Sequence, residues 1–304
     1  MKHNTHIYIA AKAIEFLQES VKNLRTLGGG PSRANTRPIS DKAKWLQRLM
    51  RCHQADLMEA SWAPDDILND KSRFHTFKLY TPDVLPDRAK EYRKETYADR
   101  YFRGSGGGGV PFKVDHLAAM ISDLRKLRDY NDNFSVRELQ YLYLLISHYV
   151  VDAHVPMHCD LRDDPPSPTD KKKPGPKERY FPSCLHNQVE EMWDRAATPV
   201  AVGEGLVVAE TYKDHGKSNE LSPYVTFDIR NKTQRDSIRP VNVPDDNLME
   251  FMIDRCIRSY ERSLATWPPK RSAADFSKRD VAPDTTREIF ADAIGGVISV
   301  WLSI

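Results

Sequence analysis

Apolar positions near the start of the chain fall at Ile7, Ala10, Ala11, Ile14 and Leu17. Steps of three and four gather them on one face and predict a helix over 6–20. The run "LGGGPS" at 27–32 stops it. Trp45, Leu49, His53 and Leu57 then form an i, i+4 stripe. This predicts a second helix that closes before "SWAPDD", since Pro64 has no N–H with which to extend it. His53, with apolar neighbours on its stripe, reads as a packing histidine. A helix is expected at 113–129, where His116 shares a register with Met120 and Leu124 and again reads as packing. The strongest signal lies in "FSVRELQYLYLLISHYVVDAHVP", with Ser135 as N-cap, Glu138 completing a capping box and Pro156 as the stop. Further helices are expected over "SCLHNQVEEMWDRA" and over "DDNLMEFMIDRCIRSYERSLATW", whose Leu248, Met252, Cys256 and Tyr260 share a face. Residues 200–245 lack a clear period and read as loops with room for a short hairpin. "RGSGGGGVP" at 103–111 reads as a flexible loop bordering a cleft, without the strand and GK[ST] context of a phosphate cradle. No internal repeat is visible. The expectation is one all-α domain over residues 1–304.

The 304 residues are 40% hydrophobic and 29% charged, an ordinary globular composition that can fill a sizeable core. Forty-five basic against 43 acidic residues leave a net charge of +2. That is far from the basic field of duplex binders, and duplex-specific nucleic-acid binding is not expected. Lys12 and Glu15 interrupt the apolar positions near the start, so no signal-peptide core is visible and a cytoplasmic location is expected. The C-terminal "AIGGVISVWLSI" is shorter than the roughly 20 residues of a membrane-spanning helix and reads as a buried core helix. No transmembrane segment and no protein partner is expected. Cys52, Cys159, Cys184 and Cys256 form no CxxC pair, which argues against a cysteine zinc site. Cys159 and Cys184 flank one loop and read as reduced thiols rather than a bridge. That loop, "RDDPPSPTDKKKPGPKERYFP" at 162–182, is charged and proline-rich. Its Lys171, Lys172, Lys173, Lys177 and Arg179 read as solvated, with contact to a polyanionic substrate as the alternative.

The candidate chemistry lies in "SHYVVDAHVPMHCD". His148 and Asp152, i and i+4, leave one helix face a turn apart and can converge on a single ion. They are set among Tyr, Leu, Ile and Val, where an unpaired carboxylate costs several kcal/mol, so Asp152 needs a partner, either a metal or an ordinary salt bridge. His158, past Pro156, suits a neighbouring ion. "LHNQVEEMWD" repeats the device with His186 and Glu190, and Asp194 a turn further on. Two such pairs and an extra histidine suggest two metals with nitrogen and oxygen ligands. His154, between these positions, is expected to face away from the ions. No Ser/His/Asp or Cys/His nucleophile is apparent.

Five segments in order, "TH…A..AI.FL" (5–17), "ASWAPDD" (60–66), "FHTF" (74–77), "HYVVDAHVPMH" (148–158) and "LHNQVEEMWD" (185–194), resemble the ligand segments of the zinc-dependent phospholipase C and single-strand-specific nuclease superfamily. The resemblance implies an all-helical fold with two or three Zn2+ ions in a cleft. By position, Asp65, His75, His148 and Asp152 would hold the first ion, and His158, His186 and Glu190 the second. His6, Asp152 and the amine and carbonyl of Met1 would hold the third. Family members carry an N-terminal tryptophan where this chain has Met1, which Lys2 is expected to protect from removal; His3 reads as a surface histidine, with a substitute ligand for that site as the alternative. The Asp65 to His75 interval is shorter than in the family, which leaves Asp66 as an alternative ligand. The implied reaction is phosphodiester hydrolysis by a metal-activated water, with Asp65 as catalytic residue and Phe74 and Phe77 at the substrate. Glu190, and Thr76 in place of a base-stacking aromatic, favour a phospholipase C-like enzyme on a phospholipid head group or small diester. The tryptophan-containing motifs favour a single-strand nuclease or 3'-nucleotidase. Met1 and the short interval leave open a non-catalytic metal-binding relative.

Overall fold

Helices account for the regular structure of the computed structural model, which describes residues 1–22, 36–50, 56–68, 70, 74–80, 109–130, 136–163, 180–197, 221–243 and 247–304. In chain order they are α1 (His3–Lys22), α2 (Thr36–Leu49), α3 (Asp56–Asp66), α4 (Val110–Tyr130), α5 (Val136–Asp152), α6 (Leu185–Ala196), α7 (Ser222–Val225), α8 (Lys232–Ser237), α9 (Leu248–Thr266) and α10 (Pro283–Ser303), with 3₁₀ turns at Pro156–Cys159 and Leu161–Asp163. The described residues contain no β-strand, only a parallel bridge between Leu79 and Asp160. The chain is therefore mostly helical, as its 3.6-residue periodicity predicts.

α5 lies at the centre and packs against α3, α4, α10 and α1. Its residues from Tyr143 to Asp152 are all buried, which explains why the stretch is apolar around nearly its whole circumference. α10 is the apolar C-terminal segment, with Ile289, Ile294, Val297, Ile298 and Trp301 buried against α1 and α5. No helix among the described residues is long and apolar enough to cross a membrane. Gly296 lets α10 approach closely, since a Cβ there would stand 2.5 Å from the His154 ring.

Several boundaries differ from expectation. "SWAPDD" does not follow a helix but ends one: α3 runs through Pro64 to Asp66. Pro64 forgoes its own bond back to residue 60, but the residues after it still bond: Ile67 N donates to Ala63 O at 3.0 Å and Asp70 N to Pro64 O at 3.0 Å. His53 and Cys52 lie outside the described residues. His116 is exposed and stacked on Phe112 at 5.9 Å, not packed in the core, because the buried stripe of α4 is Val110, Val114, Leu117 and Ile121. Residues 221–243 hold two short helices rather than a hairpin. The second is capped by the Asn231 side chain, which accepts from Thr233 N and Gln234 N. Leu248, Met252, Cys256 and Tyr260 are buried together, as their spacing predicts. Ser135, most of the glycine-rich loop and the basic cluster at 171–179 lie outside the described residues. Cys159, Cys184 and Cys256 are free thiols, Cys184 exposed and the other two buried.

Candidate metal centre

The site forms where α5 runs out. Asp152 is its last residue, and Pro156 opens the 3₁₀ turn that carries His158. Residues 77–79 pair with this turn: Phe77 N donates to His158 O at 3.0 Å and Leu79 N to Cys159 O at 2.8 Å. The pairing sets His75 beside the end of α5. α3 brings Asp65 from one side, α1 brings Met1 and His6 from another, and α6 presents His186 and Glu190 one turn apart.

Four donors bound to one tetrahedral ion at about 2.0–2.1 Å stand roughly 3.3 Å from one another. The first group matches that spacing. His75 Nδ1 lies 2.8 Å and His148 Nε2 3.3 Å from Asp152 Oδ2. The two nitrogens are 3.2 Å apart, and Asp65 Oδ1 is 3.6 Å from each. In the second group His158 Nε2 and His186 Nε2 are 3.1 Å apart and lie 3.2 and 3.0 Å from Glu190 Oε1. Asp152 turns its other oxygen to a third group: Oδ1 is 3.3 Å from the Met1 amine and 3.6 Å from His6 Nε2, which is 3.0 Å from Met1 O. One carboxylate thus faces two groups, and its Oδ1 also lies 3.3 Å from His158 Nδ1. The sets His6/His148/Asp152, Asp65/His75/His148 and His158/His186/Glu190 each bring their donor atoms within 4.8 Å of one another.

The electrostatics are those of a cation site balanced by protons. Burial alone would raise the Asp152 carboxyl, but the Met1 amine, His148 and His158 hold it well below its ordinary range. Glu190 is likewise held down against burial by the Met1 amine, at 2.7 Å, and by His186. Conversely, burial would depress His148 and His186, yet the carboxylates Asp152 and Glu190 lift each to about 9. The Met1 amine is lifted against burial to about 10, chiefly by Glu190 and Asp152. Burial keeps His6 neutral, with the neighbouring His148 charge adding to the effect. His6 Nδ1, His75 Nε2, His158 Nδ1 and Glu190 Oε1 are buried without an aligned hydrogen-bond partner. Of these only Glu190 Oε1 belongs to a donor group, and a divalent cation held there with His158 and His186 would satisfy it. The donor set of imidazole nitrogen and carboxylate oxygen fits zinc.

Of the other predicted residues, Asp66 is exposed at the end of α3 and belongs to none of the three donor groups. Phe74 is half-buried, with the Lys113 amine 5.0 Å above its ring. Phe77 is 2% exposed and packs in the core, which leaves it no face for a substrate. His3 packs against Trp62 with ring centroids 4.7 Å apart and planes tilted by 34°, and Trp62 stands 6.1 and 6.2 Å from the His6 and His148 rings. His154 faces away from the site: its Nδ1 donates to Val150 O at 2.8 Å and its ring abuts Gly296.

Three supporting groups escaped the sequence reading. The Ser61 carbonyl accepts from His148 Nδ1 at 2.9 Å, fixing the ring so that Nε2 faces Asp65, His75 and Asp152. Asp163 accepts from His186 Nδ1 at 2.8 Å. Asp194 caps α1, accepting from Thr5 N and Asn4 Nδ2 at 3.2 Å each, and so secures the turn that carries Met1 and His6. A backbone acceptor leaves no trace in sequence, and Asp163 sits in a segment whose composition reads as surface loop. Asp194 had a signal, its helical register with His186 and Glu190, but that register placed it toward an ion rather than toward α1. No protein-family model matches the chain, and no curated protein or solved structure does so either.

Proposed function

We propose that this protein is a zinc-dependent phosphodiester hydrolase of the phospholipase C type, working through a metal-activated water. The observation that carries the reading is the set of donor separations around Asp152, 2.8–3.6 Å among Asp65, His75, His148 and Asp152. Zinc bound there supplies a Lewis acid that acidifies water near neutral pH and draws charge off the reacting phosphate. The protein does the rest by placement. Asp65, with a side chain 32% exposed where the other carboxylates of the cluster are shielded, is the group able to orient and accept a proton from an incoming water. Glu190, His158 and His186 would hold a second cation, whose positive charge would offset the negative charge that develops on a leaving oxygen. Asp152 ties the two halves together through its two oxygens.

Glu190 as the carboxylate of the second group, and Thr76 rather than an aromatic after His75, support a small diester or phospholipid head group as substrate. The Trp62–His3 pair beside the site supports the second reading, a single-strand nuclease or 3'-nucleotidase, since an aromatic platform suits a base. The test is hydrolysis of phosphatidylcholine, single-stranded DNA and bis-p-nitrophenyl phosphate by zinc-loaded protein, before and after chelation. The expected result is turnover of the artificial diester and of phosphatidylcholine, lost on chelation and restored by zinc. Turnover of DNA alone shifts the reading to the nuclease; diester turnover that survives exhaustive chelation overturns both.

A further inference from the structure

Asp163 has no part in the donor groups, yet its carboxylate, shielded to 11% exposure, sits directly behind one of them. Its Oδ2 accepts from His186 Nδ1 at 2.8 Å and from Lys78 Nζ at 3.0 Å. Lys78 is itself buried and also donates to Met157 O at 2.8 Å, in the turn that carries His158. One carboxylate oxygen therefore connects α6, which bears His186 and Glu190, to the turn that bears His158. A neutral imidazole carries one N–H and one lone pair, and the partner at one nitrogen decides which faces the other way. With Nδ1–H committed to Asp163, the His186 lone pair lies on Nε2, the atom 3.0 Å from Glu190 and 3.1 Å from His158. The first group solves the same problem with a neutral acceptor, the Ser61 carbonyl behind His148. An anionic acceptor does more, because it raises the donor strength of the imidazole it holds.

We propose that Asp163 is a positioning residue for the His158/His186/Glu190 ion: it selects the His186 tautomer that presents Nε2 and makes that nitrogen a stronger donor, with Lys78 holding the carboxylate in place. The inference rests on the metal reading above. Outer carboxylates of this kind change metal affinity by roughly 10- to 100-fold.

The test is a competitive zinc titration of the full chain against a chromophoric chelator, which resolves the affinity of each ion. It is paired with cobalt substitution, whose visible absorption reports each coordination sphere. Asp163→Ala should weaken one ion by roughly 10- to 100-fold and change one cobalt spectrum, leaving the others as in the wild type. Asp163→Asn keeps an acceptor oxygen without the charge and should recover part of the loss. The isolated Lys78→Met variant keeps the acceptor and should cost less than Asp163→Ala. Wild-type affinity in Asp163→Ala, or an equal loss at every ion with no rescue by Asn, overturns the proposal while leaving the metal reading intact. A wild-type protein that takes up no zinc overturns the metal reading itself.

Discussion

The two ends of the candidate metal centre are held by different means. Around His148 the supports are deep and built from backbone: the imidazole and Asp152 are fully buried, and the acceptor behind the ring is a carbonyl of α3. Around His186 the ring is 27% exposed, and its support is another side chain, Asp163, kept in place by Lys78. A main-chain acceptor is fixed by the fold and survives any side-chain substitution at its own position. A side-chain acceptor is removed by one. The first end should therefore be robust toward its surroundings and intolerant in its ligands, and the second adjustable from its surroundings.

The largest effect is expected at Asp152, where both ends meet. Asp152→Asn removes the anion that the Met1 amine, His148 and His158 share, leaving them Glu190 and Asp65. Removing one partner of a buried ion pair costs about 3–5 kcal/mol, so the ion-free protein should melt well below wild type and zinc should fail to rescue it. Thermal melting with and without zinc checks this. Glu190→Gln should be milder and local. It should lose the second ion while keeping the first, and lower hydrolysis by roughly 100- to 1,000-fold, the scale of losing one electrostatic stabiliser, as measured by metal content and initial rates. Asp194→Ala should be smaller still. It removes the cap on α1, worth about 1 kcal/mol, and should loosen any ion held by Met1 and His6 before it touches the other two.

The pH dependence sharpens the same contrast. In ion-free protein His148 and His186 are raised from 6.5 to about 9, so their stabilisation is complete below pH 6.5 and is lost as pH climbs through 9. Asp152 and Glu190 are depressed, so theirs is complete above their ordinary values of 3.8 and 4.5 and is lost as the medium turns acid. Burial lowers His6 and His154, so their contribution is complete above pH 6.5 and lost as pH falls; ion-free stability should therefore be greatest near pH 6.5 and decline toward 9. Zinc requires neutral imidazoles, so the zinc-induced rise in melting temperature should grow over the same rise in pH. A zinc-induced rise that stays flat from pH 6.5 to 9 would contradict the assignment of these histidines as ligands.

Local periodicity carries much of this site. His148 with Asp152 and His186 with Glu190 are neighbours because of helical spacing alone, so the sequence places each pair on one face. Asp65 and His75 are not neighbours in any local sense. Their place came from the order of motifs in the resemblance, and in space it depends on α3 and on the pairing of residues 77–79 with 158–161. Ser61 and Asp163 are tertiary partners with no periodic signature. The failures are equally physical. His116 lies on a regular helical register, but periodicity says which residues share a face, not which face is inside. Pro64 predicts a stop, yet α3 runs two residues past it, because the bond a proline forgoes is its own to the residue four back and the N–H groups that follow still have carbonyls to bond. The resemblance puts Phe77 at the substrate, but its side chain is buried in the core.

The most direct test of the central claim is a crystal structure of zinc-equilibrated protein with anomalous data at the zinc edge. The account predicts one peak enclosed by Asp65, His75, His148 and Asp152 and another by His158, His186 and Glu190, with a third near Met1 and His6 if the amine serves as a ligand. Density for ordered side chains in these places without anomalous signal, or zinc bound only elsewhere on the surface, would contradict it.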